Sequence, residues 1–352
     1  GGGMSRLQQL IKELCPNGVE YKRLDEVADI TMGTSPKGDT ISSDPSAGIE
    51  FHQGKTHFGD LVLNCSGMYT SAPVKMAEPG SIVMSVRAPV GDTNITDRKI
   101  AIGRGLCAIF AKSIVETKFI YYCLNSYINN IKRMATGATF EAINTNDVKS
   151  IKIPFPPLPI QQEIVRILDS FTELIKELNA ELDARRKQYE YYRNLLISNT
   201  DKIEWKTIDQ ISINHDSKRK PIPKAKRRSG AYPYYGASGI VDYIDDYIFD
   251  GEYLLVSEDG ANLLSRNTPI AFSATGKIWV NNHAHVLEFS NYATRRYIEV
   301  YLNSINLSKY ISAAAQPKLT QENLNRIPIP FPPLKEQQRI VDILDRFDTL
   351  IN

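Results

Sequence analysis

The sequence has no long apolar run and little cysteine, and each absence excludes a class of protein. No stretch of its 352 residues approaches the roughly 18 consecutive apolar residues that a membrane-spanning helix requires. A disulfide scaffold needs far more than 4 cysteines, and these show no CxxC spacing, which favours free thiols in a reducing cytoplasm. With 42% hydrophobic and 23% charged residues, the chain is expected to form a globular protein of about two domains.

We expect no signal peptide in this sequence, and its basic and acidic residues nearly balance. Its start has no basic segment followed by an apolar core, and residues 1–3 look like a cloning remnant ahead of Met4. Lysine and arginine number 42 and acidic residues 40, for a net charge of +2. Because a nucleic-acid partner needs a basic face rather than a basic total, this charge decides nothing about such a partner.

Catalytic and metal-binding motifs are not found either. There is no HExxH or GxGxxG, and AFSATGKI at 271–278 lacks the first glycine and the closing Ser/Thr of a phosphate-binding loop. The Pro-Pro at 156–157 follows Phe155, where adenine methyltransferases carry a polar residue. His283 and His285 have no third ligand at metal spacing, and a strand with both rings on one face is the favoured interpretation. We therefore expect neither an active site nor a metal site.

What the sequence does contain is a repeat. Residues 153–175, IPFPPLPIQQEIVRILDSFTELI, align with 329–351, IPFPPLKEQQRIVDILDRFDTLI, at a constant offset of 176, and 16 of 23 positions are identical. EYKRLD at 20–25 resembles EWKTID at 204–209 at an offset of 184. The chain is therefore predicted to be a tandem duplication of a unit of about 180 residues, too long and too few in number for a solenoid.

The shared segment predicts a long helix. Its prolines at 154, 156 and 157 bar a helix before them, and apolar residues then recur in steps of four and three with one break at Arg185. These positions are Ile164, Leu168, Phe171, Ile175, Leu178, Leu182, Tyr189, Tyr192 and Leu196. At about 1.5 Å per residue, a helix over 161–198 spans almost 60 Å and needs a partner helix. An intramolecular pair is favoured over an ordinary core helix or a homodimeric coiled coil, and a proline-rich partner motif at Pro-Phe-Pro-Pro is disfavoured.

In the second copy, this series of apolar residues stops where the sequence ends, at Asn352. A short amphipathic helix is expected at residues 5–14. The two stubs look like one shared helix cut in the middle, in a circularly arranged pseudo-dimer. If so, Leu178 and Leu182 lack an intramolecular partner and form an association site.

Each copy also carries a variable head of α+β type. Strands are predicted at 80–86, 101–110, 251–257 and 277–289, and helices at 117–134 and 294–311.

The second head has seven cations and no acid at 218–228, and its prolines at 221 and 223 keep the segment extended along a phosphate backbone. Solvation alone explains many such runs. The candidates for DNA contact are Lys37, Gln53, Lys55, Arg87, Arg104, Lys218, Arg219, Lys220, Lys224, Arg227, Tyr235, Asn281 and Asn282.

These motifs together resemble the DNA-specificity subunit of type I restriction-modification systems. The resemblance rests on the repeated IPFPPLxxQQxIVxILD, ARRKQYEYYR at 184–193, YPYYGASGI at 232–240, DGEYLL at 250–255 and FHQGK at 51–55. It implies two target recognition domains, which read unlike halves of a split DNA sequence, and long antiparallel helices that space them. The implied layout is an N-terminal helix stub at 4–17, domains at 18–155 and 201–331, a central spacer helix at 156–200 and a truncated C-terminal helix at 332–352.

The resemblance further implies partner subunits. Two methyltransferase subunits that use S-adenosylmethionine would dock on the helices to methylate adenine, and a motor-nuclease subunit that uses ATP and Mg²⁺ would join for restriction. This chain itself would bind no cofactor and act in the cytoplasm of a bacterium or archaeon. The predicted partner contacts are Gln161, Gln162, Phe171, Tyr189, Tyr192, Gln337, Gln338 and Phe347. The alternatives are an enzyme with degenerate motifs and a scaffold or stand-alone DNA-binding regulator.

Overall fold

The computed structural model describes residues 4–134, 142–198, 203–259, 262–266, 268–312 and 317–351. They belong to two compact units, residues 1–176 and 177–352, and each unit combines helices with sheets. The predicted α+β class is therefore confirmed. The division between the units falls inside the predicted spacer, and the predicted boundary between residues 200 and 201 lies outside the described residues.

The first unit is built from short strands and a few helices, the last of which continues beyond it. The helices are α1 (Arg6–Leu14), α2 (Leu24–Val27), α3 (Thr117–Ser126), α4 (Ile128–Met134), α5 (Thr145–Ser150) and α6 (Leu158–Ser198). The strands are β1 (Tyr21–Arg23), β2 (Ala28–Met32), β3 (Ile41–Ser42), β4 (Ile49–His52), β5 (Tyr69–Thr70), β6 (Met76–Ala77), β7 (Ile82–Ser85), β8 (Thr93–Ile95), β9 (Ile100–Ile102), β10 (Leu106–Ala111) and β11 (Lys152–Pro154).

Local sequence signals account for the first and the last helix of this unit. Helix α1 begins after Ser5, whose hydroxyl accepts from the Gln8 backbone N–H while the Gln8 side chain accepts from the Ser5 N–H, a capping box. Helix α6 is one continuous helix of 41 residues, as the heptad pattern predicts. It starts within the proline cluster because Pro159 stands in its first turn, where no N–H is required.

Two sheets and a β-ribbon make up the first head. The four-stranded sheet has the order β2-β10-β7-β8, the five-stranded sheet has the order β3-β5-β4-β9-β6, and β1 pairs with β11. The larger core lies where the four-stranded sheet meets α3, α5 and the start of α6, and it includes Ile82, Ile109, Ile120 and Val165. A separate small core lies between the two sheets around Val83 and Ile102.

The second unit contains a larger single sheet. Its remaining helices are α7 (Ile208–Ile211), α8 (Asn262–Ser265), α9 (Tyr292–Ser304), α10 (Gln321–Asn325) and α11 (Leu334–Ile351). Its strands are β12 (Glu204–Thr207), β13 (Ile213–Asn214), β14 (Ser229–Gly236), β15 (Gly239–Ile244), β16 (Phe249–Ser257), β17 (Ala271–Val280), β18 (Ala284–Glu288) and β19 (Pro328–Phe331). The order β13-β18-β16-β17-β14-β15 forms a six-stranded sheet, and β12 pairs with β19 as β1 does with β11. Its main core joins this sheet to α9 and α11.

Two predicted strands are each divided in the structure. The segment 101–110 turns at 103–105, because β9 and β10 belong to different sheets. The segment 277–289 turns at Asn281, whose Oδ1 accepts from the His283 N–H at 2.8 Å, so that β17 and β18 can lie on either side of β16. The predicted helix at 117–134 is likewise two helices, α3 and α4, and the one at 294–311 ends at Ser304, where Ile305 is extended.

Candidate nucleic-acid interface

Two glutamines of the shared segment are structural residues. Gln161 is fully buried, its Nε2 donates to the Pro156 carbonyl at 2.7 Å, and its Oε1 accepts from the Glu116 N–H at 2.9 Å. Its repeat equivalent, Gln337, is 1% exposed and makes the same bond to Pro332 at 2.7 Å. Each amide is bound inside its own unit, which gives both side chains a structural role, and partner contact at these two positions stays a prediction.

An ion pair also recurs at equivalent positions. In the first unit, the Lys118 ammonium on α3 lies 2.7 Å from Asp169 on α6. In the second, the Arg296 guanidinium on α9 lies 2.8 Å from Asp345 on α11. Burial opposes ionisation of Asp169, but hydrogen bonds from Lys118 and Tyr122 outweigh it and lower the pKa of that carboxyl. An equivalent ion pair thus joins a helix of each head to the long helix of the same unit, α3 to α6 and α9 to α11.

The other predicted partner residues remain accessible to different degrees. Gln162, Gln338 and Phe171 are exposed, the last by 57%. In the second unit, Tyr192 stacks on Phe347 with ring centroids 5.5 Å apart, and Tyr189 meets the same ring edge-on at 6.4 Å. Along α6, Leu178 is 53% exposed, as expected, whereas Leu182 is half-buried. Partner contact at these positions stays a prediction.

Residues 218–228 are called the basic segment below. Two of its cations are bound within the second head. Arg219 is 13% exposed and lies 2.7 Å from Glu258. Arg227 donates to the Ile222 carbonyl at 3.0 Å, and its guanidinium lies 4.3 Å from the centre of the Tyr234 ring. Because both head groups are bound within the fold, the structure gives them a packing role, and phosphate contact by them stays a prediction.

The remaining cations of that segment face solvent. Within the described residues, no carboxylate pairs with the exposed side chains at Lys218, Lys220, Lys224, Lys226 and Arg228. Two 3₁₀ turns, Asp216–Lys218 and Lys224–Lys226, interrupt the extended stretch that the prolines predict. Five unpaired cations within 11 residues suit a polyanion such as a phosphate backbone.

Three further candidates of the second head differ in accessibility. Asn281 is 7% exposed, and its side-chain oxygen closes the turn before β18, so the structure gives it a role in that turn, and base contact by it stays a prediction. Asn282, the next residue, is exposed. Tyr235 is half-buried, with its ring stacked on Phe272 at 6.1 Å, and burial raises its pKa.

The candidates of the first head all lie at the surface. Lys37, Arg87 and Arg104 are exposed, and no carboxylate of the described residues pairs with them. Lys55 is 40% exposed and forms an ion pair with Asp92. Gln53 is exposed, and its Oε1 accepts a hydrogen bond from Ser35 at 2.8 Å.

A buried histidine–carboxylate contact in the second head has no counterpart among the sequence predictions. His285 is fully buried on β18, its Nδ1 lies 2.5 Å from Asp216, and its Nε2 lies 2.7 Å from the Leu319 carbonyl. Burial opposes ionisation of Asp216, but its bond to His285 outweighs burial and lowers the carboxyl pKa. The preceding histidine, His283, instead binds Asp259 at 2.8 Å. Since Asp216 and His285 are 69 residues apart, no local pattern could reveal their contact.

The described parts of the chain offer little other chemistry. Among them, no group of three or more His, Cys, Asp or Glu side chains is arranged to hold a metal ion. None of their helices is both long and apolar enough to cross a membrane. Cys15, Cys65, Cys107 and Cys123 are free, which confirms the prediction of free thiols. The features suited to ligand contact are therefore exposed cations and amides on two unlike heads.

Comparison with known proteins bears on this arrangement. The chain is 33% identical over 300 residues to the specificity subunit of the type I restriction enzyme EcoprrI from Escherichia coli, a match that covers 79% of this chain and 73% of that protein. A putative type I restriction enzyme specificity subunit from Haemophilus influenzae is 40% identical over 148 residues, 42% of this chain. The putative MjaX specificity subunit from Methanocaldococcus jannaschii is 39% identical over 179 residues. The chain spans only 38% and 41% of the length of these last two relatives.

A solved structure and a family model agree with those matches. The crystal structure of a type I restriction-modification S subunit from M. genitalium aligns with a TM-score of 0.62 over 95% of this chain and 91% of that chain; at 18% identity it shows the shared fold. The family described as type I restriction modification DNA specificity domain matches residues 16–184 and 201–352. The chain therefore belongs to the type I restriction-modification DNA specificity family.

Proposed function

We propose that this chain is the DNA-reading subunit of a type I restriction-modification complex and that each head reads one half of an asymmetric, bipartite target. The observation that carries the proposal is the duplicated frame with two unlike heads. Gln161 and Gln337 make the same bond to a proline carbonyl in the two copies, whereas the first head has a four- and a five-stranded sheet and the second a six-stranded one. Identical heads would suit a palindrome, and unlike heads suit two different half-sequences.

The exposed cations support contact with DNA. Lys37, Arg87 and Arg104 in the first head and the basic segment of the second are available to phosphates. The exposed amides of Gln53 and Asn282 are of the kind that reads base edges. Phosphate contacts would orient each head, and amide contacts would supply part of its sequence preference.

We further propose that the helices set the spacing of the half-sites and dock two methyltransferase subunits. The exposed apolar side chains of α6 suit such docking: Phe171, Leu174, Ile175 and Leu178 are 57%, 48%, 58% and 53% exposed. An apolar stripe of this kind on a helix is a protein-association surface. The competing hypothesis is that a second copy of this chain binds the same apolar stripe.

In the proposed complex this chain is non-catalytic. The methyltransferase subunits would use S-adenosylmethionine, and restriction subunits would use ATP and Mg²⁺, in the cytoplasm of a bacterial or archaeal cell. The chain would direct adenine methylation or restriction by choosing the site.

The decisive experiment maps methylated adenines in a host with and without the gene. We expect one asymmetric bipartite motif to lose methylation when the gene is deleted. Replacing residues 201–331 with the second head of another family member should change one half-sequence only. A change in both halves would contradict the modular hypothesis, and methylation by the purified chain with S-adenosylmethionine alone would contradict a non-catalytic role.

Docking is tested separately. Ile175→Asp and Leu178→Asp should abolish co-purification with the methyltransferase subunit, while DNA affinity of the chain is retained. Lys176→Asp, at an exposed polar position of the same helix, is the control. Unchanged co-purification together with a changed oligomeric state in light scattering would assign the stripe to self-association instead.

A further inference from the structure

Three loops of the first head converge into one surface. They are residues 33–37 after β2, 53–55 after β4 and 103–105 between β9 and β10. The Thr34 N–H donates to the Ile102 carbonyl at 3.0 Å, and the Gly103 N–H donates to the His52 carbonyl at 2.8 Å. These residues are called the three-loop surface below. Backbone bonds between the loops hold their relative positions.

Gln53 is exposed on this surface, yet its side chain is held. The Arg104 N–H donates to Ser35 Oγ at 3.3 Å, and Ser35 Oγ donates to Gln53 Oε1 at 2.8 Å. Because Ser35 already accepts from a backbone N–H, its own proton is available to the amide oxygen. This chain of bonds orients the amide with Oε1 toward Ser35 and Nε2 away from it.

Glycine at 103 makes room for that orientation. A Cβ atom on Gly103 would lie 2.3 Å from Gln53 Oε1 and 3.1 Å from its Cα. Gly33 is equally close to the next loop, since a Cβ there would lie 2.1 Å from the Gly103 carbonyl oxygen. The amide of Gln53 therefore rests against a bare backbone, and any side chain at 103 would displace it.

The amide nitrogen is left as an outward hydrogen-bond donor. Within the described residues, no acceptor binds Gln53 Nε2. Lys37 and Arg104, on the other two loops, are exposed cations without a carboxylate partner among those residues. A fixed neutral donor on a surface that also carries two exposed cations fits a base edge with phosphates nearby.

We propose that Gln53 is a base-reading residue of the first head and that Ser35 is its positioning residue. The Nε2 group donates to a major-groove acceptor, which is N7 or O6 of guanine, N7 of adenine or O4 of thymine. Lys37 and Arg104 contact the neighbouring phosphates. The proposal rests on the proposed function, because it assumes that the first head binds duplex DNA.

The test selects preferred sites from a randomised duplex pool, using the full chain together with a methyltransferase subunit of the same system. Gln53→Leu removes the donor at similar size, and Gln53→Glu replaces the donor by an acceptor. Both should alter the preference at one and the same base pair of a single half-site, lowering discrimination there by about 2- to 13-fold, the range for a single hydrogen bond. Gln53→Glu should shift the preference toward a base with an exposed amino donor, cytosine or adenine.

The positioning role has its own variants. Ser35→Ala should reduce discrimination at that same base pair by a smaller factor, Ser35→Thr should restore it, and Gly103→Ala should act like Gln53→Leu. Ser43→Ala, at a surface serine of the same head, is the matched control and should change nothing. If Gly103→Ala prevents folding, Gln53→Leu decides alone.

Two outcomes overturn the inference, and they differ from failure of the proposed function. Wild-type base preference in Gln53→Leu at every position would show that the amide reads no base. Equal weakening of all sequences would make it a phosphate contact. A wild-type complex that selects no sequence would overturn both the inference and the proposed function.

Discussion

Gln337 Nε2 lies 2.7 Å from the carbonyl oxygen of Pro332, five residues before it, and both groups are buried. The same bond joins Gln161 to Pro156 at 2.7 Å in the first copy. In each copy, a glutamine in the first turn of the long helix supplies a donor to a buried carbonyl of the proline-rich segment that precedes the helix. The repeated Pro-Phe-Pro-Pro and the first glutamine of each Gln-Gln pair thus form one internal contact.

Removal of this hydrogen bond should lower the free energy of unfolding. In Gln337→Ala, the Pro332 carbonyl and the Thr294 hydroxyl, which donates to Gln337 Oε1 at 2.8 Å, are both left without a partner in a buried site. We expect the free energy of unfolding to fall by about 1–3 kcal/mol per unsatisfied group. Gln338→Ala, at the exposed neighbouring position, should change it by less than about 0.5 kcal/mol. Urea denaturation measures both, and equal stabilities of the two variants would contradict the assignment.

The first head should lose stability in acid because of Glu50. Burial opposes ionisation of this carboxyl, but hydrogen bonds from Arg98, the Ser66 N–H and His52 outweigh it and lower the pKa from 4.5 to about 2. A depressed carboxyl pKa means that this stabilisation is complete above pH 4.5 and is lost as the pH falls toward about 2. Burial also lowers the pKa of His52 from 6.5, which adds a loss of the same sign that begins below pH 6.5.

The Glu50→Gln variant separates the contribution of Glu50 to acid sensitivity from that of His52. The variant should be less stable than wild type by about 1–3 kcal/mol at pH 7, because Arg98 loses its ionic partner. The difference between variant and wild type should shrink between pH 4.5 and about 2, measured as the unfolding free energy against pH. Asp97→Asn, which also removes a carboxylate bound to Arg98 but one that is 63% exposed, is the control and should cost little. A constant difference across that window would refute the role of Glu50.

The basic segment of the second head should divide into two functional groups. Lys218→Ala with Lys220→Ala should weaken binding to all DNA sequences about equally and should reduce the log–log salt slope by about 0.9 for each phosphate that the variant no longer neutralises. Arg219→Ala should instead lower the unfolding free energy, because Glu258 and the Ala284 carbonyl lose the guanidinium. Gel shifts across a salt series and urea denaturation measure the two effects. A change in base preference for the lysine variant would place those lysines in a groove.

The spacer hypothesis has a geometric test. Deleting residues 176–182 removes one heptad and keeps the helical phase, and shortens α6 by about 10 Å. We expect both half-sequences to remain and the preferred spacer between them to shorten, by at most about three base pairs at roughly 3.4 Å per pair. Site selection from a pool with variable spacers measures this. An unchanged spacer with intact binding would rule out the ruler role.

How much of the fold and of the candidate site could be predicted depended on the range of the interaction. The 41-residue helix, the short helix after Ser5 and the free cysteines follow from neighbouring residues and composition, and were predicted. The strands predicted at 101–110 and 277–289 were not single strands, because sheet order requires a turn in each and sheet order is not a local property. Composition suggested seven equivalent cations at 218–228, but two of them are internal.

By itself, the sequence determined the duplication, the α+β class and the family, since repeats, heptads and proline positions are written in consecutive residues. Only the tertiary structure decided which polar side chains are bound inside the fold. Gln161, Gln337, Arg219 and Asn281 looked available in the sequence, yet partners far along the chain or a local turn bind their head groups. Ser35, 18 residues from Gln53, reaches that amide only because the loops after β2 and β4 fold to the same surface. The physical reason is that hydrogen bonding and burial depend on which groups meet in space, and a linear pattern records only which groups are adjacent.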